Sequence, residues 1–482
     1  MTDATVKSTT ASQRWTDEDA QMLRETAESA IAYLESLADR RVHPLSRPSD
    51  LRPLFGGTLP ENGDAPGVVL RALATAGDRG SVATAGPRYF GFVIGGALPA
   101  TVAADWLTSA WDQNAVLYTL GPAAAVAEEV VAGWLLDLFD LPRDSGVGFT
   151  SGCQMANFVG LAAARHAVLK QRGWDVEQQG LQGAPRVRVI VGAEAHVTAT
   201  VALQMLGFGT ATLERVPSDD QGRMRPDGLA QVLAAGEADA PTIVCAQIGN
   251  VNTGGFDDVA AIADLVHQRD ASWLHVDGAF GLWARTAPQL RGLVPGLEAA
   301  DSWASDLHKW LNVPYDSGIV IVRDAEAHRA SMILSASYLI AASGDERDPQ
   351  LYVPESSRRA RGFTAYAALR SLGRNGLADL VQRCCRLATR MASALEREPG
   401  VEVLNEVVLN QVLVRFGDDD GLTRDTIRRV QEDGTCWLGG SVWHGKAVMR
   451  ISVSNWSTTD ADVDVSVEAI LRCYRAARDK AT

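Results

Sequence analysis

Three short stretches of the sequence carry side chains that could do chemistry together. Lys309 lies in the motif SDLHKW (305–310) between two predicted strands, where partial burial would lower the pKa of its amine and leave it nucleophilic. Asp277 follows a strand predicted over residues 273–276, and α/β sheets bind ligands at the C-terminal tips of parallel strands. The small-residue turn TSGCQ (150–154) opens a predicted helix, whose first N–H groups favour an anion. Taken singly, these stretches also fit a surface lysine, a helix cap and an ordinary helix start.

Together, the three stretches supply what pyridoxal 5′-phosphate requires from a protein. The amine can bond to the cofactor's aldehyde, the carboxylate can pair with its ring nitrogen, and the turn can hold its phosphate. The conjunction is far more specific than any one of its parts. The sequence therefore predicts a pyridoxal-phosphate site built from Lys309, Asp277 and the turn.

The elements around these residues alternate short β-branched runs with helical stretches from about residue 145 to 325. This alternation favours a mostly parallel sheet covered on both faces. We predict strands of this sheet at residues 187–191, 242–246, 273–276 and 318–322. We predict helices at residues 155–170, 196–206 and 259–269. A long helix after residue 362 leads to predicted antiparallel strands at 401–404, 411–415 and 448–453. We expect an N-terminal helix and extended arm (1–86), a large cofactor-binding domain (87–362) and a small C-terminal domain (363–482).

Composition and charge exclude several other classes of protein. The 482 residues carry a net charge of −14 and no long basic stripe, which argues against nucleic acid as a partner. The longest uncharged stretch, 145–164, is broken by glycines and polar residues, so we expect no membrane span. Six irregularly spaced cysteines predict reduced thiols rather than a disulfide framework, and no metal site is expected. Without a visible secretory signal, a cytoplasmic location is the expectation.

With these motifs in place, the sequence resembles the group II pyridoxal-phosphate-dependent amino acid decarboxylases, within the fold-type-I aminotransferase superfamily. The resemblance runs from about residue 87 to 457. It implies an α/β fold with a mostly parallel seven-stranded sheet, a smaller α+β C-terminal domain and an N-terminal helical arm. It also implies decarboxylation of an L-amino acid by a homodimer with shared active sites, in which the arm and residues 111–118 reach the neighbouring subunit.

The resemblance assigns roles to residues around the cofactor. It makes Lys309 the Schiff-base lysine, Asp277 the partner of the ring nitrogen, and His196 the imidazole that stacks on the ring. As a lone histidine before a helix, His196 is also compatible with a helix cap. The remaining cofactor contacts fall on Gly152, Cys153, Gln154, Asn252, Ser305 and His308.

On the substrate side, the resemblance points to three further residues. Phe92, in the segment PRYFGFVIGG (87–96), would line the substrate pocket, although aromatic-glycine runs usually serve packing. Tyr338 would return a proton to carbon after CO2 leaves, and a tyrosine there favours simple decarboxylation over oxidative deamination. Arg450 would meet a substrate carboxylate, or is a solvated strand residue. Because residues 92–96 include no cation, we expect a neutral, aromatic or aliphatic, amino acid rather than glutamate.

Two alternative functions remain open at the level of sequence. An aminotransferase or a carbon–carbon lyase acting on amino acids would use the same lysine and aspartate. A non-catalytic scaffold would keep the fold without the chemistry, but the set of Lys309, Asp277 and His196 argues against it.

Overall fold

The computed structural model describes residues 15–332 and 346–481 and divides the chain into two compact units, Met1–Ala83 and Thr84–Thr482. The first unit contains helices α1 (Asp17–Ser36), α2 (Pro48–Phe55) and α3 (Pro66–Gly80). Helix α1 begins directly after Thr16, because Thr16 and Asp19 form a reciprocal capping box. The predicted domain boundaries at 86 and 362 stay predictions.

The second unit holds the remaining helices and both sheets. Its helices are α4 (Pro99–Trp111), α5 (Pro122–Phe139), α6 (Cys153–Lys170), α7 (Val176–Gln179), α8 (Val197–Met205), α9 (Pro226–Ala235), α10 (Val259–Val266), α11 (Leu307–Trp310), α12 (Ala325–Met332), α13 (Gly362–Leu395), α14 (Asp420–Asp433) and α15 (Asp460–Ala481). Its strands are β1 (Gly146–Thr150), β2 (Arg188–Gly192), β3 (Glu214–Val216), β4 (Thr242–Gln247), β5 (Ser272–Asp277), β6 (Ser302–Asp306), β7 (Gly318–Val322), β8 (Val401–Val403), β9 (Gln411–Phe416), β10 (Gly439–Trp443) and β11 (Lys446–Ser452).

Within the described ranges, seven strands form one sheet in the order β1-β7-β6-β5-β4-β2-β3. Strands β2 to β6 are parallel to one another, and only β7 runs antiparallel to its neighbours β6 and β1. The predicted α/β fold with a mostly parallel sheet is therefore confirmed. Four of these strands, β2, β4, β5 and β7, lie where the sequence predicts them. The sequence pattern does not predict strand β6, because its sequence, SWASD, has no β-branched residue.

A second, antiparallel sheet lies in the C-terminal part, in the order β10-β11-β9-β8. Its strands β8, β9 and β11 correspond to the three predicted there. Strand β10 begins with two glycines, which are poor strand formers, and was not predicted.

Helix α6 positions the site because it packs directly on the sheet. Most of its residues are buried, and small ones predominate, which lets the helix approach the strands closely. A Cβ atom at Gly160 would lie 2.8 Å from Cε1 of His275 on β5. The parallel strands β4, β5 and β6 end in Gln247, Asp277 and Asp306, so these three polar side chains come to the same edge of the sheet.

Across the described part of the chain, no helix is long and apolar enough to cross a membrane.

Candidate active site

The amine of Lys309 is held by a carboxylate. Lys309 lies in the short helix α11, directly after β6, and its Nζ is 3.0 Å from Oδ2 of Asp306. Burial by itself lowers the pKa of Lys309, but the negative charge of Asp306 raises it, with smaller contributions from Cys153 and Asp277. The net pKa is above the ordinary lysine value. The expectation of a lowered pKa is therefore wrong, because the ion pair with Asp306, together with these smaller contributions, outweighs the effect of burial. The sequence did not reveal this ion pair.

Asp306 also connects the lysine to the predicted phosphate turn. Its Oδ1 accepts a 2.6 Å hydrogen bond from the backbone N–H of Cys153 and lies 3.3 Å from Nε2 of His308. Sequence reasoning gave Asp306 no role. The signal was present, since Asp306 is a carboxylate at the end of a strand, as Asp277 is.

The predicted phosphate turn connects β1 to α6 and depends on the absence of side chains. A Cβ at Gly152 would lie 3.2 Å from Cε1 of His308 and 3.3 Å from Oδ1 of Asp306. A Cβ at Gly318 on β7 would lie 2.6 Å from Cα of Gly152. Because Gly152 and Gly318 have no side chains, the backbone of the turn at the N-terminus of α6 is not covered by them. Gln154, in the first turn of this helix, is exposed.

The other two predicted phosphate contacts are engaged within the protein. The hydroxyl of Ser305 is buried and donates to the backbone carbonyl of Gly278 at 3.0 Å. The ring of His308 lies 4.3 Å from the ring of Tyr315, and its Nδ1 accepts from the backbone N–H of Ser317. Burial lowers the pKa of His308, which favours its neutral form.

Asp277 is buried at the end of β5 and receives hydrogen bonds at both oxygens. Oδ2 accepts from Nδ2 of Asn157 at 3.0 Å, and Oδ1 accepts from the backbone N–H of Ala279 at 3.2 Å. The thiol of Cys153 lies 3.4 Å from Oδ1. Burial raises the pKa of this thiol well above its ordinary value, and the charge of Asp277 raises it further. The thiol therefore stays protonated and donates a hydrogen bond to the carboxylate.

His196 is a helix cap, and charges of the predicted site act on its ring. It is the N-cap of α8, with Nδ1 2.7 Å from Oγ1 of Thr198, and its backbone N–H donates to Gln247. Burial lowers the pKa of its imidazole, so the ring is neutral at neutral pH, and the charges of Asp277 and Lys309 both act on it. A helix cap and a place beside the predicted site are thus compatible.

Arg450 and Asn252 are two further predicted contacts that the structure describes. Burial lowers the pKa of Arg450, and its charge lowers that of His196. Among the residues that the structure describes, the side chain of Arg450 has no hydrogen-bond or ion-pair partner. Oδ1 of Asn252 accepts from the hydroxyl of Ser441 on β10 at 3.0 Å, which fixes its amide near the C-terminal sheet.

Phe92 belongs to an aromatic stack that the sequence only partly revealed. The rings of Tyr89 and Phe92 lie 5.0 and 5.6 Å from that of Trp437, while Phe92 itself is 59 % exposed. A Cβ at Gly91 would lie 2.2 Å from the Trp437 ring, so only glycine permits this packing. The same segment packs against the backbone of the lysine, because a Cβ at Gly95 would overlap the carbonyl oxygen of Lys309. Tyr338, the predicted proton donor, lies outside the described residues.

These features fit the predicted cofactor. A bare helix start, a buried hydrogen-bonded carboxylate and a buried amine lie within one edge of the sheet, and each matches one functional group of pyridoxal 5′-phosphate. Lys309, Asp277, His196 and the turn at 151–154 would hold it.

Comparison with known proteins agrees with this geometry. The family described as "Pyridoxal-dependent decarboxylase conserved domain" matches residues 48–416. The chain therefore belongs to the pyridoxal-phosphate-dependent decarboxylases, enzymes that remove CO2 from amino acids with this cofactor.

Individual relatives act on different amino acids. The chain is 27 % identical to tryptophan decarboxylase 1 of Oryza sativa subsp. japonica, over 88 % of this chain and 87 % of the relative. It is 26 % identical to aromatic-L-amino-acid decarboxylase of Sus scrofa (93 % and 94 % covered). It is 27 % identical to an acidic amino acid decarboxylase of Homo sapiens (74 % and 69 % covered).

Solved structures share the fold. A crystal structure of Oryza sativa TDC with PLP and tryptamine superposes with a TM-score of 0.89 at 24 % identity, covering 96 % of this chain and 99 % of the other. Mouse CSAD in apo form gives 0.84 at 23 % identity, with 94 % and 98 % covered.

Proposed function

We propose that this enzyme decarboxylates a neutral L-amino acid, aromatic or aliphatic, to the corresponding amine and CO2. The observation that carries the proposal is the stack of Tyr89 and Phe92 on Trp437. The segment 87–96, which supplies the first two rings, also packs against the backbone of Lys309 through Gly95. A partly exposed aromatic surface contacts an apolar side chain favourably, but it offers a carboxylate neither a positive charge nor a hydrogen-bond donor. Two of the relatives named above act on aromatic amino acids, which supports the same assignment.

The chain's own residues divide the work of the reaction. Lys309 would bond to the aldehyde of the cofactor, the turn at 151–154 would bind its phosphate, and Asp277 would keep its ring nitrogen protonated. The bound cofactor supplies an electron-poor ring that accepts the electron pair left behind by CO2. Burial lowers the pKa of His196, so its imidazole is neutral and could pack against the ring without opposing the ring's positive charge. A proton then returns to carbon from Tyr338 or from Lys309.

A second candidate substrate class is supported by Arg450. A half-buried arginine without a partner among the described side chains is costly unless an anion meets it. That anion is the α-carboxylate of a neutral substrate in the first proposal. In the second it is the side-chain carboxylate of an acidic amino acid, which one of the relatives decarboxylates.

A panel of amino acids distinguishes these candidates. We expect release of CO2 and amine from tryptophan, tyrosine, phenylalanine or a branched aliphatic amino acid, and little from glutamate, aspartate or cysteine sulfinate. Product analysis for keto acids and aldehydes tests at the same time for other reactions of the cofactor. Preferential turnover of the acidic amino acids would overturn the first proposal.

The variant Arg450→Gln refines the result. If Arg450 binds the α-carboxylate, its loss raises KM for every substrate about equally. If it binds a side-chain carboxylate, only acidic substrates are affected. Arg424→Gln, on the exposed face of α14, is the matched control and should leave all the rates unchanged.

We also propose a homodimer with shared active sites. Helices α4 and α5 expose large apolar side chains to solvent, which a second copy of the chain would cover: Trp106, Leu107, Trp111, Val126 and Val130. Light scattering should give twice the mass of one chain, and Leu107→Glu should lower both the mass and the activity. Val465→Glu, on α15, is the control.

A cytoplasmic location stays a prediction, supported by six unpaired cysteines, each of which is described.

A further inference from the structure

A line of buried hydrogen bonds leads from the interior of the sheet to Asp277. Nε1 of Trp273 donates to Oγ of Ser302 at 2.8 Å, and that oxygen lies 2.8 Å from Nδ1 of His275. Nε2 of His275 lies 2.9 Å from Oδ1 of Asn157. Nδ2 of Asn157 donates to Oδ2 of Asp277 at 3.0 Å. Four hydrogen bonds thus join β5, β6 and α6 behind the carboxylate.

The chemistry of the groups fixes the direction of every bond. A carboxylate only accepts, so Asn157 must point its NH2 group at Asp277 and its carbonyl oxygen at His275. Nε2 of His275 is therefore protonated. Burial lowers the pKa of His275 to about 4, so its ring is neutral and Nδ1 accepts the hydroxyl proton of Ser302. The indole N–H of Trp273 can only donate, so all four bonds point toward Asp277.

The line is sealed from solvent and separate from the reacting groups. Ser302, His275 and Asn157 are each 0 % exposed. The helix makes room for the imidazole at Gly160, where a Cβ would lie 2.8 Å from Cε1 of His275. Within the described part of the chain, neither Ser302 nor His275 forms a hydrogen bond with Lys309 or with the turn at 151–154, so their hydrogen bonds lead to the site through Asn157 and Asp277.

We propose that Asn157, His275 and Ser302 are positioning residues that hold the Asp277 carboxylate aimed at the ring nitrogen of the cofactor. The proposal rests on the role given to Asp277 in the proposed function. Each donor polarises the next in a medium of low dielectric, so a bond two residues away strengthens the one at the carboxylate. Without this line, the carboxylate would lose its alignment with the ring nitrogen and would hold the ring proton less firmly.

The test measures cofactor binding and ring protonation, not only turnover. Apo-protein is titrated with pyridoxal 5′-phosphate to obtain Kd, and 15N-labelled cofactor reports the protonation of the ring nitrogen by its NMR shift. We expect Asn157→Leu to raise Kd about 10-fold and Ser302→Ala about 3-fold, since a lost bond to a charged buried group is the larger loss. In both variants the 15N shift should move toward the deprotonated form.

A matched control separates this effect from a general loss of stability. Ser466 is equally buried, and its hydroxyl donates to the backbone carbonyl of Asp462 on α15. Ser466→Ala should lower the midpoint of urea unfolding about as much as Ser302→Ala does, and leave both Kd and the 15N shift unchanged.

The double variant tests whether the residues act in series. Once Asn157→Leu has broken the line, adding Ser302→Ala should change Kd by less than about 1.5-fold, because the hydroxyl no longer communicates with the carboxylate. Additive effects on Kd would show two independent structural losses and overturn the proposal.

The outcomes also separate this proposal from the function beneath it. If wild-type protein binds no cofactor and shows no visible absorbance, the proposed function itself fails. If wild-type protein binds and the variants bind with the same Kd and 15N shift, only the positioning proposal fails. Should Asn157→Leu not fold, Ser302→Ala and its control decide the matter alone.

Discussion

Asp277 and Asp306 end neighbouring strands of the sheet and carry the two negative charges nearest to Lys309. Asp306 forms the ion pair with the amine, whereas Asp277 is held by donors from α6 and from its own loop. The amine and the ring nitrogen of the cofactor are both cationic when protonated, so each requires its own counter-charge. The two carboxylates therefore have separate roles that can be tested separately.

Replacing Asp277 with asparagine should slow decarboxylation by on the order of 10³-fold, because a neutral amide cannot keep the ring nitrogen protonated. The measurement is kcat/KM on the preferred amino acid, with cofactor content checked by visible absorbance. Undiminished turnover by Asp277→Asn would refute the assignment.

Replacing Asp306 with asparagine should move the pH dependence of cofactor capture. In the wild-type chain the ion pair raises the pKa of Lys309, so the neutral amine that attacks the aldehyde forms only as the pH rises toward that value. Asp306→Asn removes the largest raising influence and leaves burial, which lowers the pKa. The amide oxygen can still accept from the backbone of Cys153. The rate of capture, followed by absorbance, should therefore rise at lower pH than in wild type; an unchanged pH profile would contradict the ion-pair argument.

The phosphate turn depends on how closely β7 approaches it. Gly318→Ala would place a methyl group 2.6 Å from the backbone of Gly152, and a close-packed site of this kind accommodates such a group only by moving. We expect the Kd for the cofactor to rise about 10-fold. Gly376→Ala in α13, where a Cβ finds ordinary contacts of 3.5 Å or more, should leave it unchanged. Equal Kd values for both variants would show that the turn does not bind the cofactor phosphate.

Helix α8 offers a way to separate stability from chemistry, because His196 is both its cap and a site residue. Asparagine is a good N-cap, so His196→Asn should keep the free energy of unfolding near the wild-type value, while His196→Ala should cost about 1 kcal/mol. Both should lower kcat/KM about 10²-fold or more, since both lack the imidazole. Urea unfolding and steady-state kinetics measure the two effects. Activity retained by His196→Asn would mean that the histidine serves only as a cap.

Across the second unit, one buried ion pair connects parts of the chain that are far apart in sequence. Arg358 donates to both oxygens of Glu128 on α5 at 2.6 Å and to the carbonyl of Phe149 on β1 at 3.0 Å. Arg347 lies 3.8 Å from the same carboxylate. Arg358 thus connects β1, the strand that precedes the phosphate turn, to helix α5.

Removing one partner of this pair should destabilise the whole unit. Arg358→Met leaves Glu128 buried without its main partner, which typically costs about 3–5 kcal/mol of unfolding free energy. Urea denaturation measures the loss. Arg424→Met, at an exposed i,i+4 pair of α14, is the control and should change little. A loss no larger than that of the control would show that the buried pair is not structural.

The sequence by itself determined the class of fold and the cofactor, and it predicted the principal residues of the site. Lys309, Asp277, His196 and the turn at 151–154 could be proposed because each depends on local information: a strand end, a helix start, a residue type. The parallel sheet followed from the alternation of β-branched and helical segments.

Only the tertiary structure decided which residues of the site and its surroundings contact one another. His275 and Asn157 are 118 positions apart and meet only because α6 packs across β5, and the ion pair of Lys309 with Asp306 reversed the expected direction of its pKa. Strand β6, with its sequence SWASD, is a strand because β5 and β7 pair with it on both sides. Sequence patterns report local preference, whereas contacts, burial and charge environments depend on strand order and helix packing, which bring distant segments together.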